Sequence, residues 1–254
     1  MATAEELFSN TFGSVTTRFT GILSLRKIAG LGILAVTPAL YEEWMGFAVD
    51  LFHGPESDKF FHDKDAGLKV LGGVDNLGQQ LVENEIRTFT AAIDAASLVF
   101  AHSIVDGAVL DYLRVTYAHS KESWLPFVAN KNIKISDMTQ KDNDTLIAEK
   151  IEALLDELDR QPLLVKSDRL FQICKPEADF NPIVNFRFDK DRLEQLGELR
   201  HKVVHGSGVV GTLPNGDDDI SFLWSTANYY MSLVNMRFDT KIDPRAAFAK
   251  GAAG

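Results

Sequence analysis

Apolar residues recur every three or four positions through most of the chain, and almost nowhere do they alternate one for one with polar residues. That period marks helices with one buried stripe and argues against a sheet. The longest run extends from Leu77 to Tyr117, where Ile86, Phe89, Ile93, Ala96, Phe100 and Ile104 share a face that predicts core packing. Gly107 interrupts it, as a bend or as a place where another backbone comes close. Asn143 or Asp144 caps a helix with Ile147, Ile151, Leu154 and Leu158 on its inner side, stopped by Pro162. Leu164 to Cys174 is a shorter apolar run that ends before Pro176. Leu193, Leu196, Leu199 and Val203 predict a helix that Gly206 terminates. Ile220, Leu223, Ala227, Met231 and Val234 predict the last one, with Asp217, Asp218 and Asp219 in the first turn, where negative charge favours a helix N-terminus.

Upstream, Thr37 and Pro38 read as the cap and first position of a helix whose stripe is Leu40, Trp44, Phe47 and Leu51, ending at His53-Gly54-Pro55. Residues 55–73 form a long connection with room for a short helix, and residues 120–141 are turn-rich, with an extended piece at 132–136. The aromatic loop 178–188 packs on the core or lines a base-stacking surface. The pattern predicts an all-α bundle over residues 77–240, preceded by a mostly helical extension, 1–76, that packs on it, and followed by a frayed tail, 241–254.

The 254 residues suffice for a sizeable core, and 45% hydrophobic with 24% charged residues is the composition of a soluble globular protein. A net charge of −10 argues against broad attraction to a polyanion. It leaves room for a local basic cleft: residues 184–210 hold five basic residues against four acidic ones. The single cysteine, Cys174, excludes an intrachain disulfide and a cysteine-cluster zinc site, and fits a reducing compartment. The N-terminus has no basic segment of the secretory kind, and Pro38, Glu42, Glu43 and Asp50 break the apolar stretch 31–52. The expectation is a cytoplasmic protein that does not associate with membranes.

Charge inside the stripes carries the chemistry. Arg200 falls within its helix's apolar stripe, between Leu196 and Val204, where a guanidinium needs an anionic partner or a cleft. His201 and His205 are one turn apart on another face, and the carbonyl end of the helix favours a protonated imidazole at His205. Two histidines at this spacing also suit a metal ion, while the plainest alternative is a solvated face with Arg200 in an interhelical ion pair. On the long helix, Asp111 and Arg114 are spaced for an intrahelical pair that either frays at the surface or reaches a polar pocket.

Arg200, His201, three residues and His205, followed by Gly206, resemble the signature of the HEPN superfamily: Arg, a polar residue, three variable residues and His, often with Gly after it. The resemblance covers Leu193 to Gly206 closely and the order of helices from about Val82 to Arg237 loosely. It implies a HEPN-like helical bundle and a metal-independent endoribonuclease, without cofactor, of a defence, toxin–antitoxin or RNA-processing system. It assigns acid–base work to His205, charge stabilisation to Arg200 and nucleotide orientation or assisted proton transfer to His201. It further implies RNA as substrate, a homodimer whose paired motifs form one cleft, and an antitoxin or other partner protein. HEPN proteins often carry a polar residue on an early helix facing the Arg/His pair, and Ser103, Asp106 and Asp111 are the candidates to line such a cleft. The alternative is a non-catalytic HEPN-like module that keeps the pair to bind nucleotide or a partner protein.

Overall fold

The computed structural model describes residues 2–55, 65–66, 69, 72–129, 142–205 and 216–242, and among them every regular element is helical. Among the described residues the α-helices run in the order α1 (Ala4–His53), α2 (Val74–His119), α3 (Leu125–Val128, after a 3-10 turn at Glu122–Trp124), α4 (Asn143–Asp159), α5 (Leu163–Cys174), α6 (Lys190–Val204) and α7 (Gly216–Phe238). The architecture is an all-α bundle. The predicted extended piece at 132–136, the Gly206 stop and the frayed tail lie outside the described residues.

At α1 the structure corrects the sequence reading. The helix does not begin at Thr37 and Pro38 but at Ala4, where Thr3 and Glu6 form a reciprocal capping box. It then runs through Pro38, an interior position that normally breaks a helix. Pro38 is exposed, so its ring displaces no packed neighbour and water can satisfy the freed carbonyl of Leu34. Thr37 is no cap: its hydroxyl donates back to the Ile33 carbonyl at 2.6 Å. The fourth helix starts at Asn143, but its cap is Asp142, whose carboxylate accepts from the Thr145 amide at 2.7 Å.

Helix α2 is the central element and packs on α1, α5, α6 and α7. Its core face is rotated from the predicted one: of the predicted stripe Ile104 is buried and Ile86, Ile93 and Ala96 are half-buried. Phe89 and Phe100 are exposed, whereas Ala91, Ala95, Leu98, Ala101, Val105, Val109, Tyr112 and Leu113 are buried. The helix passes Gly107 without interruption, and no atom stands within 4 Å of where a side chain there would begin, so no second backbone approaches it. Phe8, Val15, Phe19 and Ile22 of α1 enter the same core, with Phe19 edge-on to Trp224 at 4.9 Å and Phe8 beside Tyr112 at 5.9 Å. The aromatic loop before α6 packs inward: Phe186 is buried, and Phe180, Phe186 and Phe188 all meet Tyr229.

Helices α1 and α2 are antiparallel, as the pairs Phe8 with Tyr112, Arg26 with Asp94 and Trp44 with Glu85 require. Helix α7 starts at the level of Asp94, so residues 27–53 and 74–93 continue past it as a two-helix arm about 30 Å long. Each of the two helices contains an 18-residue stretch apolar enough to cross a membrane by length and composition; that of α2 is 56% buried, that of α1 only 11%.

Candidate functional site

Helix α6 is set in place from both ends of its first turns. Asp189 caps it, accepting the Arg192 amide at 3.0 Å, and Leu193 and Leu196 insert into the core. Arg192 then clamps it to α7, donating to Asp218 and Asp219 at 2.7 Å each and lying over the Phe222 ring at 4.6 Å. The acidic run at the start of α7 is therefore an inter-helix clamp as well as a favourable helix start.

The fixed helix turns Arg200 into an open cleft of about 500 Å³, which His102, Ser103 and Asp106 of α2 and His201 of α6 also line. Arg200 is half-buried, its Nε is enclosed without a hydrogen-bond partner, and none of the ion pairs among the described residues includes it. The interhelical ion pair that would have made Arg200 purely structural is thus not formed among them. Arg200 lines the cleft without a carboxylate partner among the described residues, so its charge is available to an anionic ligand there. The cleft is not a general basic groove: Glu194 and Glu198, one turn apart and exposed, share its lining with Arg160 and Arg200.

His205 ends the helix. Its amide donates to the His201 carbonyl at 3.0 Å, and the two imidazole centres are 4.2 Å apart with the rings tilted by 49°. His201 lines the cleft; His205, exposed, adjoins it through His201. Among the described residues no three His, Cys, Asp or Glu side chains gather closely enough to hold a metal ion. Of the three polar candidates on α2, Ser103 and Asp106 line the cleft, while Asp111 does not: it pairs at 3.2 Å with Arg114, both half-exposed.

Two residues that the sequence reading passed over complete the site. Lys166 of α5 is only 1% exposed and donates to Asp106 Oδ1 at 2.9 Å. His102, one turn before Asp106, is buried against α6, where a Cβ on Gly197 would stand 3.3 Å from its Nε2. Burial holds the His102 imidazole below its ordinary pKa, Asp106 opposes that, and the positive charges of Arg200 and Lys166 reinforce it. The signal for both was in the sequence: Lys166 lies on the stripe of Leu163, Leu170 and Ile173, and His102 beside Leu98 and Val105, just as Arg200 lies between Leu196 and Val204.

The Lys166–Asp106 pair gives a stability prediction. Asp106→Asn leaves a buried ammonium without its counter-charge and is expected to cost about 2 kcal/mol, below the roughly 3–5 kcal/mol of a fully buried pair because Asp106 is partly exposed. Lys166→Met combined with Asp106→Asn is expected to recover most of that loss. Urea titration of the three proteins checks it, and equal losses in the single and double variants would refute the stranded-charge account.

No protein-family model, no curated protein and no solved structure matches the chain.

Proposed function

We propose that the chain is a metal-independent endoribonuclease built on a HEPN-like bundle, acting as a homodimer in a defence, toxin–antitoxin or RNA-processing system. The observation that carries this reading is Arg200, without a carboxylate partner among the described residues, lining a cleft that two histidines share. Cleavage by the RNA's own 2′-hydroxyl needs a proton acceptor for that hydroxyl, charge stabilisation for the pentacovalent phosphorus, and a proton donor for the leaving 5′-oxygen. Arg200 suits the second task, since a planar, permanently charged guanidinium can meet two phosphoryl oxygens at once. His102, kept neutral by its surroundings, suits the acceptor role. His205, at the carbonyl end of α6, suits the donor, with His201 between them to orient the nucleotide.

A net charge of −10, with only Arg160 and Arg200 as permanent cations in a cleft that acidic residues also line, favours a few phosphate contacts over a long tract. The experiment is incubation of the purified protein with total RNA, with and without EDTA, followed by analysis of the new ends. Cleavage unaffected by EDTA, with 2′,3′-cyclic phosphate and 5′-hydroxyl ends, is the expected result. Loss of cleavage in EDTA with recovery in zinc or manganese would transfer the chemistry to a metal site, for which His201 and His205 are the candidates. Absence of cleavage together with Arg200-dependent binding of nucleotide or of a partner protein would establish the non-catalytic alternative.

A further inference from the structure

The outer face of the α1 arm is apolar and uncovered. From Ile28 to Tyr41, 14 residues, the helix carries no charge, and along that span Ile28 is 66%, Leu31 59% and Leu34 73% exposed. Ala29, Ile33, Thr37 and Leu40 are half-buried along one side of α1, and the other side chains of that span are exposed among the described residues. Helices apolar all round are normally enclosed. Ile28, Leu31 and Leu34, with Ala35 and Pro38 beside them, form one apolar strip along the exposed side, a feature that marks an interaction surface when it is contiguous.

We infer that this face is the docking surface for a second copy of the chain, with the two α1 helices crossing antiparallel about a two-fold axis between Leu34 and Ala35. At 100° per residue, Lys27, Leu31, Leu34, Ala35, Pro38 and Glu42 share the side turned away from α2. The charges at the two ends of this side select the partner and its direction. An antiparallel crossing at that point sets Lys27 of each copy against Glu42 of the other, and Leu31 against Pro38; a parallel one would set Lys27 against Lys27 and Glu42 against Glu42.

A lipid bilayer fits less well. Length and composition of α1 alone would allow it, since the helix holds an 18-residue stretch apolar enough to cross; its surroundings do not. Along the same length α2 exposes Glu83, Glu85 and Arg87, and the net charge of −10 opposes an anionic surface. This inference does not rest on the ribonuclease reading. It also departs from the merged cleft that the family resemblance implies. The crossing lies about 16 residues, roughly 25 Å, along α1 from Arg18, which shares a shallow pocket with the cleft residue Ser103, so each cleft stays within its own chain.

Light scattering of the full chain at micromolar concentration is expected to give twice the chain mass of 28.2 kDa. Leu31→Lys with Leu34→Lys is expected to give 28.2 kDa with an unchanged helical spectrum, since both side chains are exposed in the single chain. Lys27→Glu is expected to weaken the dimer about tenfold, and adding Glu42→Lys to restore it, because the swap recreates both ion pairs only in the antiparallel arrangement. A monomeric wild type overturns the inference, as does failure of the charge swap to restore the dimer. A monomer that floats with phosphatidylcholine vesicles, and loses this in the double lysine variant, would assign the surface to lipid instead.

Discussion

Arg200→Ala is expected to lower RNA cleavage by at least about a hundredfold, the usual order for removing a group that stabilises transition-state charge, while leaving stability nearly unchanged. The second half of that expectation comes from the structure. Arg200 has no carboxylate partner among the described residues, so its removal strands no charge and clears an unsatisfied N–H. Were it a member of a hidden ion pair, the same substitution would cost about 3–5 kcal/mol. His205→Ala, at an exposed helix end, is expected to match the loss of rate with equally little effect on folding, and His201→Ala to lose less. The third imidazole is separated by pH. Because the pKa of His102 is held below the ordinary 6.5, it stays an acceptor into mildly acid solution, and the acid limb of kcat/KM is expected below that pH. His102→Asn should remove the limb along with most of the rate. Single-turnover cleavage read beside urea unfolding tests the set; an Arg200→Ala protein that cleaves like wild type removes the site from the chemistry.

Helix α6, which carries Arg200 and His201, and helix α4, which ends just before the cleft residues Arg160 and Gln161, were legible in the sequence because each has a stripe of one period and a stop signal nearby: Leu193, Leu196 and Leu199 for α6, Ile151, Leu154 and Leu158 before Pro162 for α4. Helix α1 was not. Around residues 28–41 its apolar residues cover every side, so no period emerges, and a proline on the outer side reads as a boundary although nothing there collides with it. On α2 the large side chains misled. Phe89 and Phe100 advertise a core face, but in a closely packed helical hairpin small residues such as Ala91, Ala95 and Ala101 let the partner approach, and the phenylalanines are left outside. Lys166, His102 and Asp94 lie within apolar stripes as Arg200 does, and each is buried and meets a functional or structural partner.

Arg26→Ala is expected to be the most destabilising single change outside the hydrophobic core. Arg26 stands where the arm leaves the bundle, donating to Asp94 at 2.6 Å from one nitrogen and to Asp217 at 3.0 and 2.6 Å from two others. Asp217 is almost fully exposed and loses little when the guanidinium goes, whereas the Asp94 side chain is only 10% exposed and would be left charged against the start of α7. The packing there is tight: a Cβ on Gly216 would come within 3.0 Å of the Asp94 carboxylate, so the chain has little room to admit water in its place. A stranded carboxylate in such a place is expected to cost about 3–4 kcal/mol, toward the lower end for buried pairs because Arg26 keeps some contact with solvent. If the stranded charge is the cause, Asp94→Asn in the Arg26→Ala background should recover much of the loss, and replacing Asp217 alone should cost under about 1 kcal/mol, as for an exposed pair. Thermal and urea unfolding of the four proteins decide it. A loss in Arg26→Ala that Asp94→Asn leaves untouched would mean that the packing of the arginine stem, and not its charge, joins the arm to the bundle.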